Sequence, residues 1–195
     1  MTTKDILKIV LNLVVIYLIG GAILSIVHAK TSPLRFHNNE VAEQKALKLL
    51  IPDADKIDKI GDWIIHEKQG KYWKAVKGDE TIGYVILSYG KGYSSYIKTL
   101  IAVDKNFKVI QIEILSHKET PGLGDEILVP AWKDQFKGKE YDRIKLVKGD
   151  TKEYIQSITG VTISARAVTD DAVKKGVKFL MDTVKEGGAS HVSSR

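Results

Sequence analysis

The chain opens on an unbroken apolar stretch. Residues 9–27 carry no charged side chain; Lys4, Asp5 and Lys8 precede them, and His28 and Lys30 follow. A membrane-crossing helix needs about 20 apolar residues, each rising 1.5 Å. The run therefore predicts one transmembrane helix over 9–27, with residues 1–8 beyond it. Lys8 can snorkel toward headgroups, and Gly20-Gly21 offers a small surface for a neighbouring helix. A cleaved signal peptide is the competing reading. Its apolar core usually spans about 7–15 residues, and Ser25-Ile26-Val27-His28-Ala29 is a poor cleavage site, so a retained anchor is the better account.

Past the anchor the pattern shortens. Residues 28–37, with Ser32-Pro33, read as a linker. Asn38 or Asn39 can cap a helix running from Glu40 to Leu50, with Val41, Ala46, Leu47, Leu49 and Leu50 on its apolar side. Pro52-Asp53-Ala54-Asp55 stops it. Branched and aromatic runs then predict strands at Ile57–Ile65, Tyr72–Lys77, Thr81–Ser88, Ile97–Val103 and Phe107–Leu115. Val129–Phe136 reads as a short helix and Ile144–Val147 as a further strand. Ser164 is placed to cap a last helix from Ala165 to about Lys185, where Val168, Ala172, Val173, Val177, Leu180 and Met181 recur at helical spacing. Residues 187–195 read as a flexible tail. The expected fold class is α+β: an antiparallel sheet with packed helices over 38–186, preceded by one transmembrane helix.

Composition narrows the chemistry. Of 195 residues, 44% are hydrophobic and 28% charged, enough apolar content to build a core. There is no cysteine, which removes thiolate iron–sulfur ligation, thioether-linked haem and disulfides. The net charge of +6 is spread among acids, as in Asp55-Lys56-Ile57-Asp58-Lys59, with no basic stripe interleaved with aromatics. A solvated mixed surface, not nucleic-acid binding, is the expected reading. No cluster of histidines and carboxylates has metal-ligand spacing, so no metal site is expected. His117 reads as structural.

Two motifs carry the candidate chemistry. Ser157-Ile158-Thr159-Gly160-Val161-Thr162-Ile163-Ser164 places hydroxyls and a glycine turn where the last helix begins. Free N–H groups and the positive end of the helix dipole suit a phosphate there. Ser157, Thr159 and Ser164 can hydrogen-bond it, or Ser157 and Thr159 can simply form the turn; Gly160 permits close backbone approach. Upstream, His117-Lys118-Glu119-Thr120-Pro121-Gly122-Leu123-Gly124 follows a strand. Pro121 fixes φ, and Gly122 or Gly124 can take positive φ.

Together these runs resemble the FMN-binding domain family: the first matches its flavin-attachment sequence, the second its H-x-E-T-P-G-L-G signature. The resemblance covers most of the chain from about Asn38. It implies FMN carried covalently by Thr162 through a phosphoester bond, which a separate flavin transferase makes. It also implies that the 117–124 loop meets the isoalloxazine ring, with backbone N–H groups of the Gly122–Gly124 turn at its polar edge and Leu123 against its face, while Glu119 and Thr120 bond the ring or hold the loop. Gly90-Lys91-Gly92-Tyr93 is similar to the family's G-x-G-L-W-S run, with Tyr93 and Ser94 in place of Leu-Trp. Tyr93 or Tyr96 is thus placed to cover the flavin or merely to pack, and Lys91 to balance negative charge. The family's Asp and Ala before the acceptor are here Gln156 and Val161.

Within the family the chain resembles the G subunit of Rnf ion-translocating complexes and, secondly, the C subunit of sodium-pumping NADH:quinone oxidoreductases. The implied function is an electron relay with no catalytic residues of its own, in a membrane-bound oxidoreductase, partnered by the other membrane subunits and the lipid bilayer. The resemblance places residues 1–8 in the cytoplasm and 38–186 outside it, whereas flanking charge leaves orientation open. A flavin-free, membrane-anchored binding module is the alternative from another class.

Overall fold

The computed structural model describes residues 3–186; the tail predicted at 187–195 lies outside them. The chain divides into two units, residues 1–43 and 44–195.

The first helix, α1, runs from Thr3 to Leu50, and so begins in the first unit and ends in the second. Its N-terminal part is apolar and exposed, from Ile6 to Val27, and the helix is long and apolar enough to cross a membrane. Helix continues through 28–37, where the sequence predicts a linker, with Pro33 inside it. Proline lacks the N–H that would continue the ladder, a cost of about 3 kcal/mol, yet its φ is helical, so the chain need not break. Nearby, the Thr31 hydroxyl donates to Val27 O at 2.7 Å, a common way for a helical threonine to satisfy itself.

In the second unit, β1 (Lys56–Ile65), β2 (Lys68–Lys77), β3 (Glu80–Lys91), β4 (Tyr96–Asp104) and β5 (Val109–Ser116) form an antiparallel meander in sequence order. All five predicted strands are present. The β1–β2 turn is tighter than the sequence suggests. Ile65 pairs with Lys68, leaving only His66 and Glu67 at φ 50° and 58°. Two left-handed central residues match the twist of the strands they join. At the β4–β5 turn the Asp104 carboxylate accepts N–H bonds from Asn106 at 2.8 Å and Lys108 at 2.9 Å. This turn takes Phe107 out of the strand at φ 62°.

Central strands β3 and β4 are apolar on both faces because both are covered. Ala46, Leu47, Leu50 and Ile51 pack with Trp73, Val85, Leu87 and Leu100 on one side. On the other, Ile86, Ile97 and Ile101 meet Val168, Val173, Val177 and Leu180 of the last helix. That helix starts at Thr162 and has three parts: α3 (Thr162–Arg166), a wider π-helical stretch (Ala167–Val173), and α4 (Lys174–Glu186). Gly90 explains how closely sheet and helix approach: a Cβ there would stand 1.9 Å from Ala167 O.

Between β5 and α3 lie a short helix α2 (Pro130–Lys133), extended by a tight turn over Asp134–Phe136, and the two-residue strands β6 (Leu146–Val147) and β7 (Ile155–Gln156). β7 has no periodic signal in the sequence, being too short, and it pairs with β6 in parallel.

Candidate functional site

Three segments converge on one cavity of about 360 Å³. Its lining comprises Tyr93 from the β3–β4 loop, Glu119, Thr120, Leu123 and Gly124 from the segment after β5, and residues 160–164 from the start of α3. The two sequence motifs, far apart in the chain, therefore form facing walls. Turn chemistry shapes the upstream wall. Leu123 N–H and Gly124 N–H both donate to Thr120 O, at 3.2 and 2.8 Å, and Gly122 takes φ 73°. Gly122 is thus the glycine that needs positive φ; it lies outside the lining and acts by bending the backbone. The rim is apolar and open, with Tyr93 76%, Leu123 49% and Ile163 54% exposed.

Glu119 lies at the base, with only 5% of its surface exposed. Its Oε1 accepts N–H bonds from Ser94 and Ser95 at 3.1 and 3.2 Å; its Oε2 accepts from Tyr93 N–H at 3.1 Å and from the Ser164 hydroxyl at 2.6 Å. Burial pushes its carboxyl up, but the Ser164 hydroxyl and the three backbone N–H groups outweigh burial and hold it below the ordinary glutamate value. Ser164 is therefore not the helix cap that the sequence predicts. The residue before the helix is Val161, which makes no side-chain cap, and the Ser164 hydroxyl is drawn instead to the buried charge. His117 Nδ1 accepts the Glu119 N–H at 3.2 Å, a structural role as expected.

A second recess of about 250 Å³ adjoins the first, lined by Lys148, Gly149, Ser157, Ile158, Thr159, Gly160 and Thr162. Gly160 and Thr162 belong to both. The first hydrogen bond of the helix runs from Ala165 N–H to Val161 O, so the N–H groups of Thr162, Ile163 and Ser164 have no acceptor within the helix. Ser157 Oγ is buried without a hydrogen-bond partner. Gly160 sits at φ 81°, a conformation glycine adopts at little cost. Sequence reasoning missed Lys148 and Gly149, whose only signal is a basic residue beside a turn. It also missed Val161 and Ile163 as lining residues, although both lie inside the attachment motif. Gln156 faces elsewhere: its Nε2 donates to Asp150 at 2.9 Å.

These residues fit a flavin nucleotide. The larger recess falls in the range of about 300–1,000 Å³ usual for cofactor pockets and is mostly apolar, suiting an aromatic ring. The smaller is lined by a lysine, Lys148, by the hydroxyl residues Ser157 and Thr159, and by Thr162 at the start of the helix, a polar set suiting a phosphate. Thr162 lines both recesses.

Comparison with known proteins agrees. The FMN-binding domain family matches residues 92–178. The G subunit of a proton-translocating ferredoxin:NAD+ oxidoreductase complex from Clostridium ljungdahlii is 37% identical, over 93% of this chain and 92% of its own length. The G subunit of a Na+-translocating ferredoxin:NAD+ oxidoreductase complex from Acetobacterium woodii is 31% identical, over 85% and 87% respectively. The crystal structure of Shewanella oneidensis NqrC shares the fold, with a TM-score of 0.54 at 22% identity over 72% of this chain and 74% of that one. Identity of this extent, together with the domain match that spans both walls of the cavity, shows that the chain belongs to the family of G subunits of ion-translocating oxidoreductase complexes.

Proposed function

We propose that this protein is the membrane-anchored, flavin-carrying subunit of an Rnf-type ferredoxin:NAD+ oxidoreductase, with FMN joined to Thr162 by a phosphoester bond. The observation that carries the reading is that Thr162 lines both the apolar cavity and the polar recess, at the start of a long helix. Bound FMN supplies reversible electron transfer, and the protein supplies its position and surroundings. Lys148, Ser157 and the free N–H groups of 162–164 would hold the phosphate. Thr120, Leu123 and Gly124 would form one wall for the ring, and Tyr93 would lie at its open edge. A covalent tether keeps the cofactor from leaving and fixes its distance to neighbouring redox centres. The partners are the other membrane subunits of the complex and, for maturation, a flavin transferase. Residues 9–27 would anchor the chain in the cell membrane, with the flavin domain on the extracytoplasmic side.

The test is intact mass and in-gel fluorescence of the full chain expressed with a flavin transferase. The wild type should exceed its sequence mass by one FMN and fluoresce after denaturation, while Thr162→Ala should do neither. An unmodified wild type from cells with a transferase active on a control substrate would overturn the reading and favour a flavin-free binding module.

A further inference from the structure

Glu119 does more than line the cavity. The β3–β4 loop folds back on itself, with Gly92 N–H donating to Ser95 O at 2.9 Å, and this turns three successive N–H groups, those of Tyr93, Ser94 and Ser95, onto one carboxylate. Converging N–H groups of this kind form an anion-binding nest. Here the anion is internal, supplied from 24 to 26 residues away, and the same carboxylate takes the Ser164 hydroxyl from 45 residues away. Glycines make room for it on two sides. A Cβ on Gly92 would stand 2.5 Å from Glu119 Oε1, and one on Gly124 would stand 2.5 Å from Glu119 Cβ. Lys118 N–H donating to Ser95 Oγ at 2.8 Å adds a further tie between the loop and the segment after β5.

We infer that Glu119 is a positioning residue: its carboxylate latches the Tyr93–Ser95 loop and the start of α3 together, fixing both sides of the cavity and placing a permanent negative charge beside it. A carboxylate suits this task because all four partners present hydrogens to it, and an ionised acceptor makes the stronger bonds. A glutamine would turn its N–H₂ toward at least one backbone N–H, which can only donate. The second half of the inference rests on the proposed flavin: a fixed anion next to the ring disfavours the negative charge gained on reduction, and so lowers the midpoint potential.

The experiment uses the full chain in detergent, in two forms. Without flavin transferase, amide exchange is followed by mass spectrometry. Glu119→Gln should speed exchange in peptides covering 91–96 and 165–169 by roughly tenfold or more, as expected when bonds to an ionised acceptor are lost, with β2 unchanged. Equal exchange in mutant and wild type would overturn the latch. Should Glu119→Gln fail to fold, Ser164→Ala decides: it deletes the shortest of the four bonds but keeps the carboxylate. It must speed exchange at 165–169 with β2 unchanged, and unaltered exchange there would overturn the latch. In the flavin-loaded form, Glu119→Gln should raise the midpoint potential, whereas Glu119→Asp, which keeps the charge on a shorter arm, should stay near the wild type. Unchanged potential in Glu119→Gln would overturn the electrostatic role. Absence of flavin on every variant, with the exchange result intact, would sink the proposed function and leave the latch standing.

Discussion

Single residues around the cavity do distinct jobs, and two glycines show how to tell them apart. Gly122 has φ 73° and open space where a Cβ would go; Gly90 has no positive φ, but a Cβ there would stand 1.9 Å from Ala167 O. The first is needed for conformation and the second for proximity. Gly122→Ala should therefore cost about 1–2 kcal/mol, the strain of a left-handed alanine. Gly90→Ala should cost more, about 3 kcal/mol at the upper end for overpacking, because the obstacle is backbone. Thermal melting of the two variants checks this, and the order of their Tm losses is the discriminating result. Gly122→Ala should also alter the Thr120–Gly124 turn locally, whereas Gly90→Ala should loosen the whole helix–sheet contact.

At the scale of elements, the last helix is more than the amphipathic run its periodicity predicts. Its π-helical stretch carries two carboxylates that tie it to other parts of the fold. Asp170 Oδ1 accepts Leu146 N–H of β6 at 3.3 Å. Asp171 Oδ2 accepts Lys91 N–H at 2.9 Å and lies 2.7 Å from His66 Nε2 in the β1–β2 turn, while its Oδ1 pairs with Lys175. Burial pushes the Asp171 carboxyl up, but the Lys175, Lys91 and His66 contacts outweigh it and hold it below the ordinary aspartate value. A carboxyl depressed in the folded state contributes stability above its unfolded pKa and loses that contribution as pH falls through the folded one. Asp171→Asn should thus destabilise the protein by about 1–3 kcal/mol near neutral pH. Its deficit against the wild type should shrink as acid titrates the wild-type carboxyl below the usual aspartate range. Denaturant melts at neutral and strongly acidic pH measure this, and a deficit independent of pH would assign the effect to packing alone.

For the molecule as a whole, α1 serves two environments. Its first part is apolar and exposed, whereas Ala46, Leu47 and Leu50 at its end, with the following Ile51, are buried beneath the sheet. Removing residues 1–30 should leave the core intact and give a folded, soluble protein. Removing residues 1–51 should not, because each large apolar side chain lost from that layer forfeits about 1.5–3 kcal/mol of burial and uncovers Trp73, Val85 and Leu100. Circular dichroism and gel filtration of the two truncations separate the outcomes. A soluble, cooperative 52–195 fragment would show that the end of α1 is dispensable.

Much of this was legible along the chain, because local chemistry decided it. The anchor-length apolar run, five strands, the amphipathic last helix and both motifs announce themselves through spacing, turn residues and a hydroxyl-glycine turn before a helix. Tertiary structure decided the rest. Whether Pro33 breaks α1 depends on the competition between one lost hydrogen bond and the continuing ladder, not on residue type alone. The parallel β6–β7 pair is too short for periodicity to register. Ser164 has the composition of a cap, yet a buried carboxylate brought 45 residues along the chain claims its hydroxyl. Lys148 becomes a neighbour of Thr162 only when the segment after β5 folds back. Sequence periodicity reports which side of an element faces a core; it is blind to which distant element supplies the partner, and in this protein the cavity is made of such partners.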